Sequence, residues 1–308
     1  MSDALVSPPV AIGGALLTTS LIIVASNKLK DYKRNDIIPL MGVMGAFVFA
    51  AQMINFTIPG TGSSGHLIGG ILLSAILGPW AAFITLCSIL IVQCLIFADG
   101  GLLALGCNIL NMAVTSCLIA YPLVYKPIAG NSLKRMKIIL ASVLASVFAL
   151  ELGALGVTIE TELSGITLLP FSTFISFMLP IHLAIGIVEG LVTGLLLVFI
   201  ANHRPDILNS EIKEKQDLKN KNKTVLWIFG AVTLFLAVGF SFLASEFPDG
   251  LEWSIEKVSS NQELLETNVP ATALLPEYNS SLSGIIGAVI VMILLYCISS
   301  VAFSRLRK

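Results

Sequence analysis

Apolar residues come in long unbroken runs separated by short polar stretches, with neither the period-2 alternation of half-buried strands nor a narrow amphipathic stripe. A helix needs about 20 apolar residues at ~1.5 Å each to cross a bilayer. Runs of that kind fall at 10–26, 37–55, 67–97, 102–125, 138–157, 174–201, 225–244 and 284–303. The run 67–97 is too long for one crossing and is broken at Gly78-Pro79, where proline withdraws a helical hydrogen bond. The pattern predicts a short helix over 67–77, a turn at Gly78-Pro79-Trp80 and a return helix over 81–97, hence nine crossings. Segment 67–77, about 16 Å long, has a re-entrant alternative.

Composition strengthens this. Of 308 residues, 56% are apolar and 12% charged, with a mean hydropathy of +0.90. A water-soluble domain carries roughly 25% charged residues, so this chain lacks the charge to cover a solvated surface. Five scattered Cys exclude a disulfide scaffold, and a net charge of −1 argues against nucleic acid as a partner. All but one of the 18 Lys and Arg, Lys257, lie in segments 27–36, 126–137, 202–224 and 305–308. Basic segments stay in the cytoplasm. They share one side only if 67–97 crosses twice, which places the N-terminus outside with loop 56–66, turn 98–101 and the acidic loop 245–282. The first run lacks a basic leader and follows Pro8-Pro9, so no cleaved leader is predicted. The fold class expected is therefore an all-α polytopic membrane bundle. A seven-span unit (1–201) is joined by a polar cytosolic linker (202–224) to a two-span unit (225–308). No internal repeat suggests a pseudo-symmetric carrier.

Candidate chemistry is sparse. Intramembrane ionisable groups are costly and point to function; here they are Glu151, His182 and Glu189, with Asp99 at a turn. His182 and Glu189 share a helix face and could relay protons or simply satisfy polar partners inside the bundle. The Gly- and Ser-rich loop 56–66 ends at His66, one of three His in the chain. Such a loop can fold into a cavity, leaving His66 as a metal ligand or as the cap of the next helix. Gly62-Ser63-Ser64-Gly65 also resembles the nucleophile motif of rhomboid intramembrane proteases, with His182 as a candidate base. No Walker A pattern occurs, so ATP hydrolysis would belong to another polypeptide.

Five motifs in order resemble the cobalt/nickel substrate-binding subunit of energy-coupling factor (ECF) transporters, the CbiM/NikM family. They are Ser2-Asp3-Ala4-Leu5-Val6-Ser7-Pro8, Gly62-Ser63-Ser64-Gly65-His66, Leu77-Gly78-Pro79-Trp80, Asp99 to Asn108 with Asn111-Met112, and His182 to Gly190. The C-terminal unit resembles the small companion subunit CbiN/NikN through Ser245-Glu246-Phe247-Pro248-Asp249-Gly250-Leu251-Glu252-Trp253. The resemblance implies a membrane-embedded, multi-pass transport subunit of the cell (cytoplasmic) membrane, not an enzyme, with no resident cofactor. It would capture Co²⁺ or Ni²⁺ outside and depend on a separate transmembrane coupling (T) subunit and cytosolic ATPases. A stand-alone ion-coupled carrier and an intramembrane serine hydrolase are the alternatives.

In that family an N-terminal amine, a second-position histidine and the loop histidine bind the metal, a nitrogen field suited to Ni²⁺. The ligands implied here are Met1 and His66, supported by Asp3, Ser64, Asp99 and Asn108. Of these, Ser64, Asp99 and Asn108 are expected to hydrogen-bond the His66 ring and fix its tautomer. Residue 2 is Ser. Aligned on Asp3 and Pro8, Met1 falls on the family's third position. The expectation is that a Met-His precedes it; otherwise Met1 and His66 form a weaker site completed by Asp3, Asp99 or water. The acidic residues of loop 245–282 would draw cations towards it, or serve only as a solvated face. Gly13, Gly14 and Ala15 would meet either the coupling subunit or a neighbouring helix.

Overall fold

The computed structural model describes residues 1–30, 37–130, 132–208, 229–236, 245–259 and 281–304. After a single 3₁₀ turn at Asp3–Leu5, the chain forms α1 (Pro8–Lys30), α2 (Ile37–Gln52), hairpin strands β1 (Phe56–Ile58) and β2 (Ser63–Gly65), and α3 (Gly70–Leu77). Next come α4 (Pro79–Phe97), α5 (Leu105–Ala129), α6 (Arg135–Ser164), α7 (Phe171–His203) and α8 (Pro205–Leu208). In the C-terminal unit, α9 spans Gly250–Val258 and α10 spans Ser281–Ser304. Most of linker 202–224, the span expected at 225–244 and the acidic loop 245–282 lie outside the described residues.

Among the described residues, α1, α4, α5, α6 and α7 are each long and apolar enough to cross a membrane. The fold is a helical membrane bundle. Helix α4 is its centre: 78% of its most apolar window is buried, against 22% for α1, whose Ile12, Leu16 and Ile23 face outward. Helix α3, eight residues and about 12 Å long, covers less than half of an ~30 Å hydrocarbon core. Gly78, at φ +83°, ends it, and Pro79 opens α4 at the first helical position, where a missing N–H costs nothing.

Small residues set how closely helices approach. A Cβ on Gly106 would stand 2.5 Å from the Ala15 nitrogen, so α1 and α5 touch backbone to backbone, and Thr18 Oγ1 donates to the Gly106 carbonyl at 2.9 Å. Gly14 faces Cys107 in the same seam, whereas Gly13 has open space beside it. Helix α10 packs on α2, where Gly45 lies under Val291 and Leu295. Within α5, Leu110–Tyr125 is wound with the wider i→i+5 bonding, a form that recurs at functional positions.

Candidate metal site

Four segments distant in sequence meet at one end of the bundle. The first is the amino-terminal stretch. The Met1 carbonyl accepts from Gly101 N–H and from Asn108 Nδ2, each at 3.1 Å, and Asp3 Oδ1 accepts from Ala104 N–H at 2.9 Å where α5 begins. Turn 98–101 therefore holds the chain's first residues. Ala98 in that turn, at φ +55°, is the only described non-glycine residue with positive φ, a conformation that must be over-determined to persist.

The second is the hairpin. Its strands pair antiparallel with Thr57 opposite Ser64, and Gly60 and Gly62 turn its tip at φ +78° and +73°, open to glycine at little cost. Half-buried His66 follows, its Nδ1 3.4 Å from the Leu67 carbonyl. Beyond it, Ile68 and Gly69 N–H donate to the two carboxylate oxygens of Glu189 at 2.9 and 3.0 Å. Both oxygens of this buried acid are thus spent on the chain entering α3.

The third is α7. His182 Nδ1 lies 2.7 Å from the Met178 carbonyl. A carbonyl only accepts, so Nδ1 carries the proton and Nε2 keeps its lone pair. His182 and Glu189 therefore each satisfy a separate polar partner inside the bundle, the second of the two alternatives their shared helix face left open.

The fourth is the C-terminal unit's segment Ser245–Val258, which lies across the hairpin as a strap. Ser245 N–H donates to the Asn55 carbonyl and Ser64 N–H to the Pro248 carbonyl, both at 2.8 Å. Ser64 Oγ donates to the Phe247 carbonyl at 2.7 Å, and Trp253 Nε1 reaches the Thr61 carbonyl at 3.0 Å. Asp249 caps α9, accepting from Leu251 and Glu252 N–H at 2.9 Å, while Glu252 closes a capping box.

Between these segments is a cavity of about 120 Å³. Met1, His66, His182 and Asp249 line it, with Asn108 and Asn111 from α5. That is ample for a cation and several waters at ~10–15 Å³ each, and well below the ~300 Å³ at which pockets for organic ligands begin. Among the described residues, no three His, Cys, Asp or Glu side chains cluster as metal ligands.

The supporting residues differ from expectation. Ser64 gives its hydroxyl hydrogen to Phe247, and Asn108 gives an amide hydrogen to Met1, so neither is spent on the His66 ring. Asp3 is taken up by the start of α5. Asp99 is exposed on its turn, its N–H donating to the Gln93 carbonyl at 3.0 Å. Ser64 and His182 do not form the hydrolase pair, because the Ser64 hydroxyl hydrogen goes to the Phe247 carbonyl and not to a histidine nitrogen. Sequence reasoning singled out His182 without placing it beside His66, and Asp249 only as part of a motif.

Fold and site together define a multi-pass helical membrane protein with a small cavity lined by Met1, His66, His182 and Asp249. The family description "cobalt uptake substrate-specific transmembrane region" (CbiM) matches residues 1–207, and "PDGLE domain" matches 223–304. The chain belongs to this cobalt/nickel transport family. It is 32% identical to the fused nickel transport protein NikMN of Archaeoglobus fulgidus, over 85% of this chain and 86% of that one. It is 30% identical to the fused nickel transport protein LarMN of Lactiplantibacillus plantarum, over 79% and 74%. A crystal structure of a truncated transition metal transporter superposes with a TM-score of 0.58 at 30% identity, over 66% of this chain and 98% of that one.

Proposed function

We propose that this chain is the substrate-capture component of an ECF-type importer. It takes up Co²⁺ or Ni²⁺ in the cavity between Met1 and His66, and a separate coupling subunit and ATPases drive delivery across the cytoplasmic membrane. One observation carries the reading. The amino-terminal residue and the loop imidazole, 65 positions apart, line the same ion-sized cavity. Amine and imidazole nitrogens are the donors that nickel and cobalt accept readily.

The chain's own groups divide the work. Asn108 and Gly101 hold the Met1 carbonyl and so fix that residue's backbone at the cavity. His66 offers Nε2 when Nδ1–H leans on the Leu67 carbonyl. His182, with its tautomer fixed by Met178, adds a second imidazole to the wall. Asp249 brings a carboxylate that offsets the cation's charge as water is shed.

Orientation follows from charge. Lys28 and Lys30 end α1, Lys126 lies near the end of α5, Arg135 and Lys137 begin α6, and Arg204 follows α7. All lie at helix ends remote from the cavity, which the positive-inside rule puts in the cytoplasm. The cavity then opens outside.

Equilibrium titration of the purified full chain with Ni²⁺ and Co²⁺ tests the proposal. One ion bound per chain, lost in His66→Ala, is expected; unchanged binding by that variant would overturn it.

A further inference from the structure

Two buried glutamines link the two halves of the site. Gln52, at the end of α2, donates from Nε2 to the Ile68 carbonyl at 2.8 Å, and Gln93, on α4, donates from Nε2 to Gln52 Oε1 at 2.8 Å. Both residues are at most 5% exposed. The direction of this chain is forced. The Ile68 carbonyl only accepts, so Gln52 must present its NH₂ there and its oxygen to Gln93, which must in turn donate. The Ile68 N–H is held by Glu189. Both polar groups of that peptide position, two residues past His66, are therefore fixed by buried side chains from different helices.

Gln93 also reaches the other half. Its carbonyl accepts from Ala98 N–H and from Asp99 N–H, fixing the turn whose Gly101 N–H holds the Met1 carbonyl. One residue on the central helix thus connects by hydrogen bonds to the His66 loop through its side chain and to Met1 through its backbone.

We infer that the Gln52–Gln93 pair is a positioning strut that sets the spacing of Met1 and His66 across the cavity, and so determines how tightly, and in what geometry, the metal is held. The inference rests on the reading of the cavity as the nickel or cobalt site. Neither glutamine touches the ion. Each acts through the backbone it holds, as outer groups around metal sites commonly do, with losses of about 10- to 100-fold in affinity on mutation.

The test uses the full chain, with Ni²⁺ and Co²⁺ as probes, in four variants: Gln52→Leu, Gln93→Leu, the double variant and His66→Ala. Titration gives affinity, the visible absorption of bound Co²⁺ reports ligand geometry, and thermal melting reports fold integrity. The strut predicts at least about tenfold weaker binding and a shifted Co²⁺ spectrum in both single variants. Gln93→Leu leaves the buried Gln52 oxygen without its donor, a cost of about 1–3 kcal/mol. The double variant removes that orphan but, like Gln52→Leu, leaves the Ile68 carbonyl without its donor, so its melting temperature should recover only in part while affinity and spectrum stay altered. A merely structural pair would make binding follow melting temperature across the three glutamine variants. Wild-type affinity and spectrum in a folded glutamine variant, with binding lost in His66→Ala, would overturn the strut alone. Undiminished binding by His66→Ala would instead sink the site beneath it.

Discussion

Histidine 66 and histidine 182 are chemically the same side chain, yet their surroundings assign them different tasks. His66 sits on a hairpin exit held by Glu189 and Gln52, whereas His182 sits on a long helix with its Nδ1 tied to the preceding turn. His66→Ala should reduce Ni²⁺ binding to background. His182→Ala should weaken it by a smaller factor, because the main nitrogen donors remain. Asp99→Asn should weaken it least, since Asp99 acts from an exposed turn. Titration of the three variants checks this order, and equal retention by His66→Ala and Asp99→Asn would contradict it. At this scale the sequence was legible in part. His66 stood out as the end of an uncharged Gly/Ser loop. The partners of Ser64, Asn108 and Asp3 did not, because they are backbone groups of distant segments, and residue type says nothing about which backbone a hydroxyl or amide will meet.

Among the elements, the strap 245–258 depends most on tertiary contact. It has its own start signal, the Asp249 capping box, but its hold on the hairpin comes from backbone bonds at Asn55 and Ser64 and from the Trp253 indole. Asp249→Asn keeps a good cap and removes the charge; Asp249→Ala loses both, at a cost of about 1 kcal/mol for the cap. Stopped-flow release of Ni²⁺ into a chelator should therefore be faster in both, and fastest in Asp249→Ala. Equal rates in all three proteins would show that the strap does not close the cavity. Glu189→Ala removes both acceptors from Ile68 and Gly69 N–H, leaving two buried donors without partners at about 1–3 kcal/mol each. A lower melting temperature together with weaker Ni²⁺ binding is expected. The apolar runs foretold the long helices α1, α4, α5, α6 and α7 and the break at Gly78, but the expected crossing at 67–77 is too short to span, Pro79-Trp80 open α4 instead of forming a turn, and most of the run 225–244 lies outside the described residues. They did not foretell a hairpin in loop 56–66, since three-residue strands carry no periodic signal. They also missed the wide winding of Leu110–Tyr125 in α5, because hydrophobic periodicity does not distinguish it from ordinary helix.

For the molecule as a whole, composition pointed to the membrane and basic residues to a side, and α1, α5, α6 and α7 carry their basic residues at the end away from the cavity. Sequence motifs pointed to metal transport, which family membership supports. That residues 182 and 249 join residues 1 and 66 at the cavity was beyond reach, because it depends on how helices from two fused units pack. Cellular Ni²⁺ uptake should require co-produced coupling and ATPase subunits. Uptake by the purified chain in vesicles under a proton gradient alone would favour a carrier. Because nitrogen donors must shed protons to bind, Ni²⁺ affinity should fall as pH is lowered. The most direct measurement is anomalous diffraction at the nickel absorption edge from crystals of the full chain grown with Ni²⁺. A single peak between the amino-terminal residue and the His66 imidazole is predicted; a peak elsewhere, or none at saturating Ni²⁺, would contradict it.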